Sequence, residues 1–234
     1  MFITKIEILS LIGREDMKKE KILGVVIPYY VNSDICEVAF KKLMEEISKQ
    51  MKDNIYLVVY EDGQVSSWLS KYLKDIHNMI VLRDKVNKGL SHARNKCIDH
   101  LQKLKVDYIL FLDSDDYISD NYLSEMYEFI NNGNADIYES RFFIGKSMEY
   151  QIPFRETENR YSVTGQAFKS SLIGKNRFDE TIQIGEDTEF MNRVIDPKKI
   201  KKILVGTADY IYNLGLNRNS LTMLFQRGLI GERR

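Results

Sequence analysis

The stretch DYILFLDSDDYISD, Asp107 to Asp120, decides how this chain is read. Tyr108 to Leu112, five apolar or aromatic residues, run without alternation straight into Asp113, Asp115 and Asp116. A run with no polar residue at every second position suits a strand covered by helices on both faces, and therefore a central one. Open parallel sheets bind ligands beyond the carboxyl ends of their strands, and the three acids fall just there. At neutral pH they repel one another over a few ångströms, so either their pKa values rise or a cation compensates them. Residues two apart in extended backbone point the same way, which lets Asp113 and Asp115 face one ligand and turns Asp116 aside. Two oxygen donors on one face suit Mg2+ or Mn2+, with the remaining positions left to water and phosphate oxygens, so the implied ligand is a diphosphate. The alternative is that the acids only end a strand and cap the next helix. An EF-hand is excluded, because Ile118 stands where glycine is required and Ser124 where glutamate is required.

Outward from this strand, short apolar runs alternate with segments of helical period, the pattern of a mostly parallel α/β sheet. The first strand is expected over Val25 to Pro28, followed by a helix whose apolar stripe is Val38, Leu43, Ile47 and Met51. NIYLVVYEDGQ and MIVLR read as the second and third strands, SSWLSKYLKDI as a helix between them, and DKVNKGLSHARNKCIDHLQKL as a loop leading into another helix. Beyond Asp116, SDNYLSEMYEFINNG reads as a helix opened by Ser119 and closed near Gly133, and ADIYESRFFIG as a strand. TGQAFKSSLIGKN and EDTEFMNRVI read as helices with RFDETIQIG as the loop between them. IKKILVG and DYIYNL read as two late strands, and the last 18 residues, from Asn217, as a closing helix.

Composition narrows the classes. The 34 basic and 34 acidic residues cancel, leaving no global field to attract nucleic acid. The one basic concentration, Pro197 to Lys202, suits a solvated face, with peripheral contact to an anionic membrane as the alternative. Cys36 and Cys97 form no C-x-x-C pattern and point to buried free thiols in a reducing compartment. The longest apolar run, ILGVVIPYYV, is about half of what spans a bilayer. A cytoplasmic protein is expected. Walker and dinucleotide glycine motifs are absent, and His77, His92 and His100 lack metal-binding spacing.

Two further stretches matter. NKGLSHARN, Asn87 to Asn95, puts a glycine at the bend into a helix and Arg94 in its opening turns, within reach of an anion. IGEDTEF puts Glu186 and Asp187 at a helix start, a placement that the helix dipole alone would favour. With VVIPYY, YEDG, DSDD and the late NSLT, in this order, the chain resembles a family 2 glycosyltransferase of the GT-A fold from about Gly24 to Thr222.

The resemblance implies an inverting enzyme with a single α/β domain, Rossmann-like, moving a sugar from a nucleoside diphosphate, most simply UDP, to an acceptor hydroxyl on a glycan, glycolipid, lipid-linked precursor or protein. It implies Asp115 as the main ligand to Mn2+ or Mg2+, with Asp113 at the ribose or the metal. It implies Asp187 as general base and Glu186 as holding the sugar or orienting that base. Pro28, Tyr29 and Tyr30 would form the base-binding element, with Tyr29 or Tyr30 stacking beside the base, Asp62 accepting from a uracil N–H, Arg94 near the nucleotide as a phosphate or carboxylate partner and Arg218 clamping the diphosphate. On this reading residues 1–23 are an extension, 24–116 the nucleotide-sugar half, 117–205 the acceptor half and 206–234 a closing segment. Three positions depart from the family pattern: Val31 replaces asparagine, and Glu61 and Gln64 flank Asp62 and Gly63 where aspartate and serine are usual. A sugar-phosphate nucleotidyltransferase is the rival enzyme, although PYYVNSD is not its glycine-rich loop. An inactive carbohydrate-binding module is the rival from another class.

Overall fold

The computed structural model describes residues 19–31, 34–145, 155–157 and 162–213. At its centre is β1 (Leu23–Tyr29), buried along its whole length. It pairs in parallel with β2 (Ile55–Asp62) on one side and β4 (Tyr108–Phe111) on the other, and β3 (Met79–Asp84) extends the sheet beyond β2. Past β4 come β8 (Gln166–Lys169), β6 (Ile137–Gly145), β9 (Lys202–Asn213) and β5 (Tyr117–Ile118), with β7 (Arg155–Thr157) paired to β6. The β6–β9 pairing is parallel and long, whereas the antiparallel joins are two or three residues each. The expected single α/β domain with a mostly parallel sheet is the one found.

The helices are α1 (Asp34–Gln50), α2 (Leu69–Asp75), α3 (Leu90–Lys103), α4 (Tyr122–Asn132), α5 (Ser170–Ile173) and α6 (Glu186–Val194). Alternate residues of β1 feed two cores, one on each face of the sheet. Val25, Ile27 and Tyr29 pack with Phe40, Leu43 and Ile47 of α1 and Met126 and Ile130 of α4. Val26 packs with Ala93, Cys97 and Leu101 of α3 and Phe190 and Val194 of α6. Each fully buried aliphatic or aromatic side chain of this kind contributes about 1.5–3 kcal/mol, which is why a strand without alternation takes the middle.

Several local expectations are corrected. Val38 is exposed, because α1 turns Ala39 and Phe40 to the sheet instead. TGQAFKSSLIGKN is not one helix: Gln166–Lys169 fills the edge beside β4 and β6 as β8, leaving one turn, α5. The two late strands are one, β9, whose partners on β6 jump from Val205 opposite Ser140 to Asp209 opposite Arg141. A boundary between 205 and 206 therefore falls inside a strand. Arg218 and the closing helix lie outside the described residues, as do the first 18 residues. Cys36 and Cys97 are buried and neither is in a disulfide. In the basic run, Lys198 and Lys199 are exposed, with Lys199 paired to Asp196 and Lys202 to Glu139. Among the described residues no helix is long and apolar enough to cross a membrane.

Candidate active site

Two helices bring the site together, and both start at a glycine in the left-handed region: Gly89 (φ 95°) before α3 and Gly185 (φ 83°) before α6. A side chain would strain either turn through its backbone conformation, since nothing crowds the space. Asp62, at the end of β2, holds the first of these turns. Its two oxygens accept the Lys88 N–H at 2.8 Å and the Gly89 N–H at 2.7 Å.

Arg94, on the second turn of α3, is the hub. It is 1% exposed, and its guanidinium faces three carboxylates from distant parts of the chain. Nη2 donates to Asp113 Oδ1 at 3.0 Å, while Nη1 donates to Glu186 Oε1 at 3.2 Å and to Asp187 Oδ1. Burial works against its charge, but Asp187, Asp113 and Glu186 more than offset it and hold the group protonated beyond its usual range. Its cation also lies over the Phe178 ring, 5.2 Å from the centroid. Asp187 Oδ2 accepts from Ser162 Oγ at 2.9 Å and from the Val163 N–H at 3.0 Å. Burial and the neighbouring Asp187 push Glu186 up to about 7, against the pull of Arg94.

The acids after β4 stand on a turn at Ser114–Asp115 rather than on the extended backbone expected, and the Asp116 N–H donates back to the Asp113 carbonyl at 3.4 Å. Asp116 turns away into the protein, where Tyr210 donates its hydroxyl to Oδ2 and the Asn213 N–H donates to Oδ1 at 2.8 Å. Burial, then the charges of Asp115 and Asp113, raise it well above the carboxylate range. Asp115 has no cationic partner among the described residues. Burial and Asp113 push it up to about 6. Asp113 is also raised, by burial first, with Arg94 opposing. A buried arginine, three acids gathered round it and a fourth acid beside them without a cationic partner among the described residues form a cluster of strongly perturbed groups, which marks a candidate functional site.

The family model described as Glycosyl transferase family 2 matches residues 24–198, well over half of the chain. The chain belongs to glycosyl transferase family 2. It is 28% identical over 208 residues to the poly(ribitol-phosphate) beta-glucosyltransferase of Bacillus spizizenii, a match covering 81% of this chain and 31% of that protein. It is 26% identical to the glycosyltransferase GlyA of Streptococcus pneumoniae serotype 4, with 82% and 30% covered. The chain thus spans about a third of the length of these curated relatives. Its fold matches the crystal structure of an S. aureus TarS fragment in complex with UDP, with a TM-score of 0.64 at 20% identity, covering 82% of this chain and 60% of that one. The GT-A architecture expected of family 2 is therefore present.

Within that architecture some expected donor residues take other positions. Tyr29 is core rather than a stacking platform, its ring packed against Phe40 at 4.2 Å between centroids and edge-on to Trp68. Pro28 is buried in β1, and only Tyr30, 47% exposed, remains open to a base. Asp62 holds the Lys88–Gly89 turn, each of its oxygens accepting one backbone amide. Arg94, expected as a phosphate or carboxylate partner, pairs with carboxylates. Reading the sequence missed Ser162, which carries no motif, and Gln64, whose side chain accepts the Val31 N–H at 2.6 Å. It also missed a polar face on α3. His92, Asn95, Asp99 and Gln102 recur at helical spacing, a signal visible in the sequence but masked by the apolar residues between them.

Proposed function

We propose that this chain transfers a sugar from a UDP-sugar to an acceptor hydroxyl, with inversion, at the acid cluster around Arg94. The observation that carries the reading is the division of labour among the acids. Asp113 is tied to Arg94, whereas Asp115 beside it has no cationic partner among the described residues and is raised to about 6. Such a pair fits Mn2+ or Mg2+: two carboxylates supply part of the shell and leave the rest to diphosphate oxygens and water. Among the described residues no group of three or more His, Cys, Asp or Glu side chains could hold an ion. When bound, the cation would stabilise charge gathering on the leaving diphosphate.

Asp187 takes the acceptor proton in this reading. Its Oδ1 has one partner, Arg94, and a carboxylate oxygen has two lone pairs, so one is left for an acceptor hydroxyl. Ser162 and the Val163 amide fix the carboxylate plane through Oδ2. A single displacement needs one base and no enzyme nucleophile. Tyr30 offers its exposed ring to the base, and Glu186 orients Asp187 through their shared arginine. The name of the Bacillus relative supports a hydroxyl of a polyol-phosphate or glycan polymer as acceptor. The two buried cysteines, neither of them in a disulfide, support a reducing compartment, and we place the enzyme at the cytoplasmic side, with glycolipid or protein acceptors as the other classes.

Calorimetry with UDP and Mn2+, paired with a donor-hydrolysis assay over a panel of nucleotide sugars, tests this. Asp115→Asn should abolish Mn2+-dependent UDP binding. Asp187→Asn should keep UDP binding and lose turnover. Equal loss of binding in both would contradict the assignment, and a chain that hydrolyses no donor would be the inactive module.

A further inference from the structure

The loop before α6 is not free to choose its course. One face of α3 grips it at three levels. His92 Nδ1 lies 2.9 Å from Glu180 Oε2, and Asn95 Nδ2 donates to Glu180 Oε1 at 3.0 Å. Asn95 also pairs with the Phe178 backbone in both directions, donating to its carbonyl at 2.9 Å and accepting its N–H at 2.8 Å. Further along, Arg177 donates to Asp99 at 2.6 Å and to Gln102 at 2.8 Å, and Gln102 donates to the Gly174 carbonyl at 2.9 Å. On the opposite side of the loop, α6 closes the contact. Phe178 stacks on Phe190 at 4.1 Å, and Arg193 donates to the Arg177 carbonyl at 2.6 Å.

His92 joins this loop to the nucleotide half. Its Nε2 lies 3.1 Å from Asp84 Oδ2, at the end of β3, where Lys88 Nζ also pairs at 2.9 Å and the Tyr60 hydroxyl donates. The Tyr60 ring stands edge-on to the imidazole at 6.0 Å. A ring that donates from both nitrogens satisfies both carboxylates, whereas a ring with one N–H satisfies only one. Only Thr181–Gly185, five residues, separate the Glu180 anchor from Glu186 and Asp187. Where the anchor sits therefore limits where the acids of α6 can sit.

We propose that His92 and Glu180, backed by Asn95, form a latch between the end of β3 and the loop before α6, and that this latch positions Asp187 for the reaction. The proposal rests on the transfer reading above for what Asp187 does. His92 and Glu180 are positioning residues, since neither touches Asp187. Misplacing a reacting group by about 1 Å costs on the order of 100-fold in rate, so loosening a five-residue tether shows in turnover before it shows in donor affinity.

The test uses His92→Ala, Glu180→Ala and the double variant, read by hydrogen exchange, UDP–Mn2+ calorimetry and donor hydrolysis. Amides of residues 174–188 should exchange about 10-fold faster in each variant, while the strands of the nucleotide half keep their protection. Turnover should fall about 10-fold or more, with UDP affinity held within about two-fold, and the double variant should match the single ones. Unchanged exchange at 174–188 overturns the latch, as does full turnover with a loosened loop. So does a loss of UDP affinity in step with turnover, because that would mark a general structural role. If the unsubstituted protein binds no UDP, the transfer reading fails separately. The latch is then judged on exchange in the loop and in the first turn of α6, where protection retained in the variants overturns it.

Discussion

Gln64 Oε1 accepts the Val31 N–H at 2.6 Å, which joins two of the positions at which this chain departs from the family pattern. The amide nitrogen of the same side chain reaches back to the Tyr29 carbonyl at 3.4 Å. A side chain on the β2 turn thus ties down the exit of β1, next to Tyr30, the exposed ring that we assign to the nucleobase. Glu61, the third departure, is fully buried and accepts the Ser66 N–H at 2.6 Å as well as pairing with Arg83. These substitutions hold the mouth of the donor site by side-chain bonds to backbone.

Gln64→Ala should cost about 1 kcal/mol of stability, the net worth of one such bond, and should weaken UDP binding several-fold by freeing the backbone beside Tyr30. Gln64→Ser should do no better, since a serine hydroxyl is two bonds shorter than the amide and falls short of Val31. Urea denaturation and UDP titration of both variants check this. A serine variant with full affinity would separate Gln64 from the donor site.

Arg94 gives the largest expected effect. Removing one partner of a buried ion pair costs about 3–5 kcal/mol, because the remaining charges stay buried without compensation. Arg94→Ala leaves Asp113, Glu186 and Asp187 together with no cation between them. Arg94→Lys should recover little, as one ammonium cannot reproduce the two-pronged contact of Nη1 and Nη2. Denaturant midpoints read the loss directly, and a lysine variant as stable as the parent would refute the hub role.

The contrast between Asp113 and Arg94 shows how far the sequence could be read. Tyr108 to Leu112 announced a central strand, a property of local backbone geometry, whereas Asp113 to Asp116 fold into a turn, to which the two-residue period expected of them does not apply. Arg94 was legible as a charged residue near a helix start, but its three partners lie 19, 92 and 93 positions away, and nothing local specifies them. The surroundings of Tyr29 and Asp62 were not legible for a related reason. Aromatic and acidic side chains at strand ends suit a ligand and a neighbouring turn equally well, and only packing decides. Gln166–Lys169 carried a helical pattern and became strand because β4 and β6 offered edges to fill.

Stability in the absence of metal should fall as pH rises from 5 to 7.5. Asp115 is raised to about 6 and Glu186 to about 7, so the folded chain binds protons that the unfolded chain has already released. That contribution is complete below the unfolded carboxylate values and is lost as pH climbs through the raised ones. Asp84 runs the other way, lowered by the Tyr60 hydroxyl and Lys88, but its transition lies at far more acid pH and leaves this window unaffected. Thermal melts across the range should show Asp115→Asn removing the lower part of the slope and Glu186→Gln the upper part. Each should stabilise the chain at pH 7.5 by on the order of 1 kcal/mol. A slope that survives both substitutions would assign the effect to other groups.

Tyr210 governs Asp115 without touching its carboxylate. From β9 its hydroxyl donates to Asp116 and accepts the Asp113 N–H at 3.3 Å, while Asn213, three residues on, donates its side-chain amide to the Asp115 carbonyl at 3.2 Å. The backbone that carries the proposed metal ligands is therefore gripped from the far side by one strand. Tyr210→Phe removes the hydroxyl but keeps the ring that stacks on Phe142 at 5.5 Å. The Asp113 N–H then loses its acceptor and Asp116 loses a donor, at a cost of about 1–3 kcal/mol. Because both carboxylates of the D-x-D element remain, an unstrained site would bind Mn2+ and UDP as before. We expect instead a drop of about 10-fold in Mn2+-dependent UDP affinity with little change in any metal-free binding, since the loss acts through the placement of Asp115. Calorimetry with and without Mn2+ separates the two, and equal affinity of Tyr210→Phe and the parent in Mn2+ would mean that β9 does not set the position of the acids.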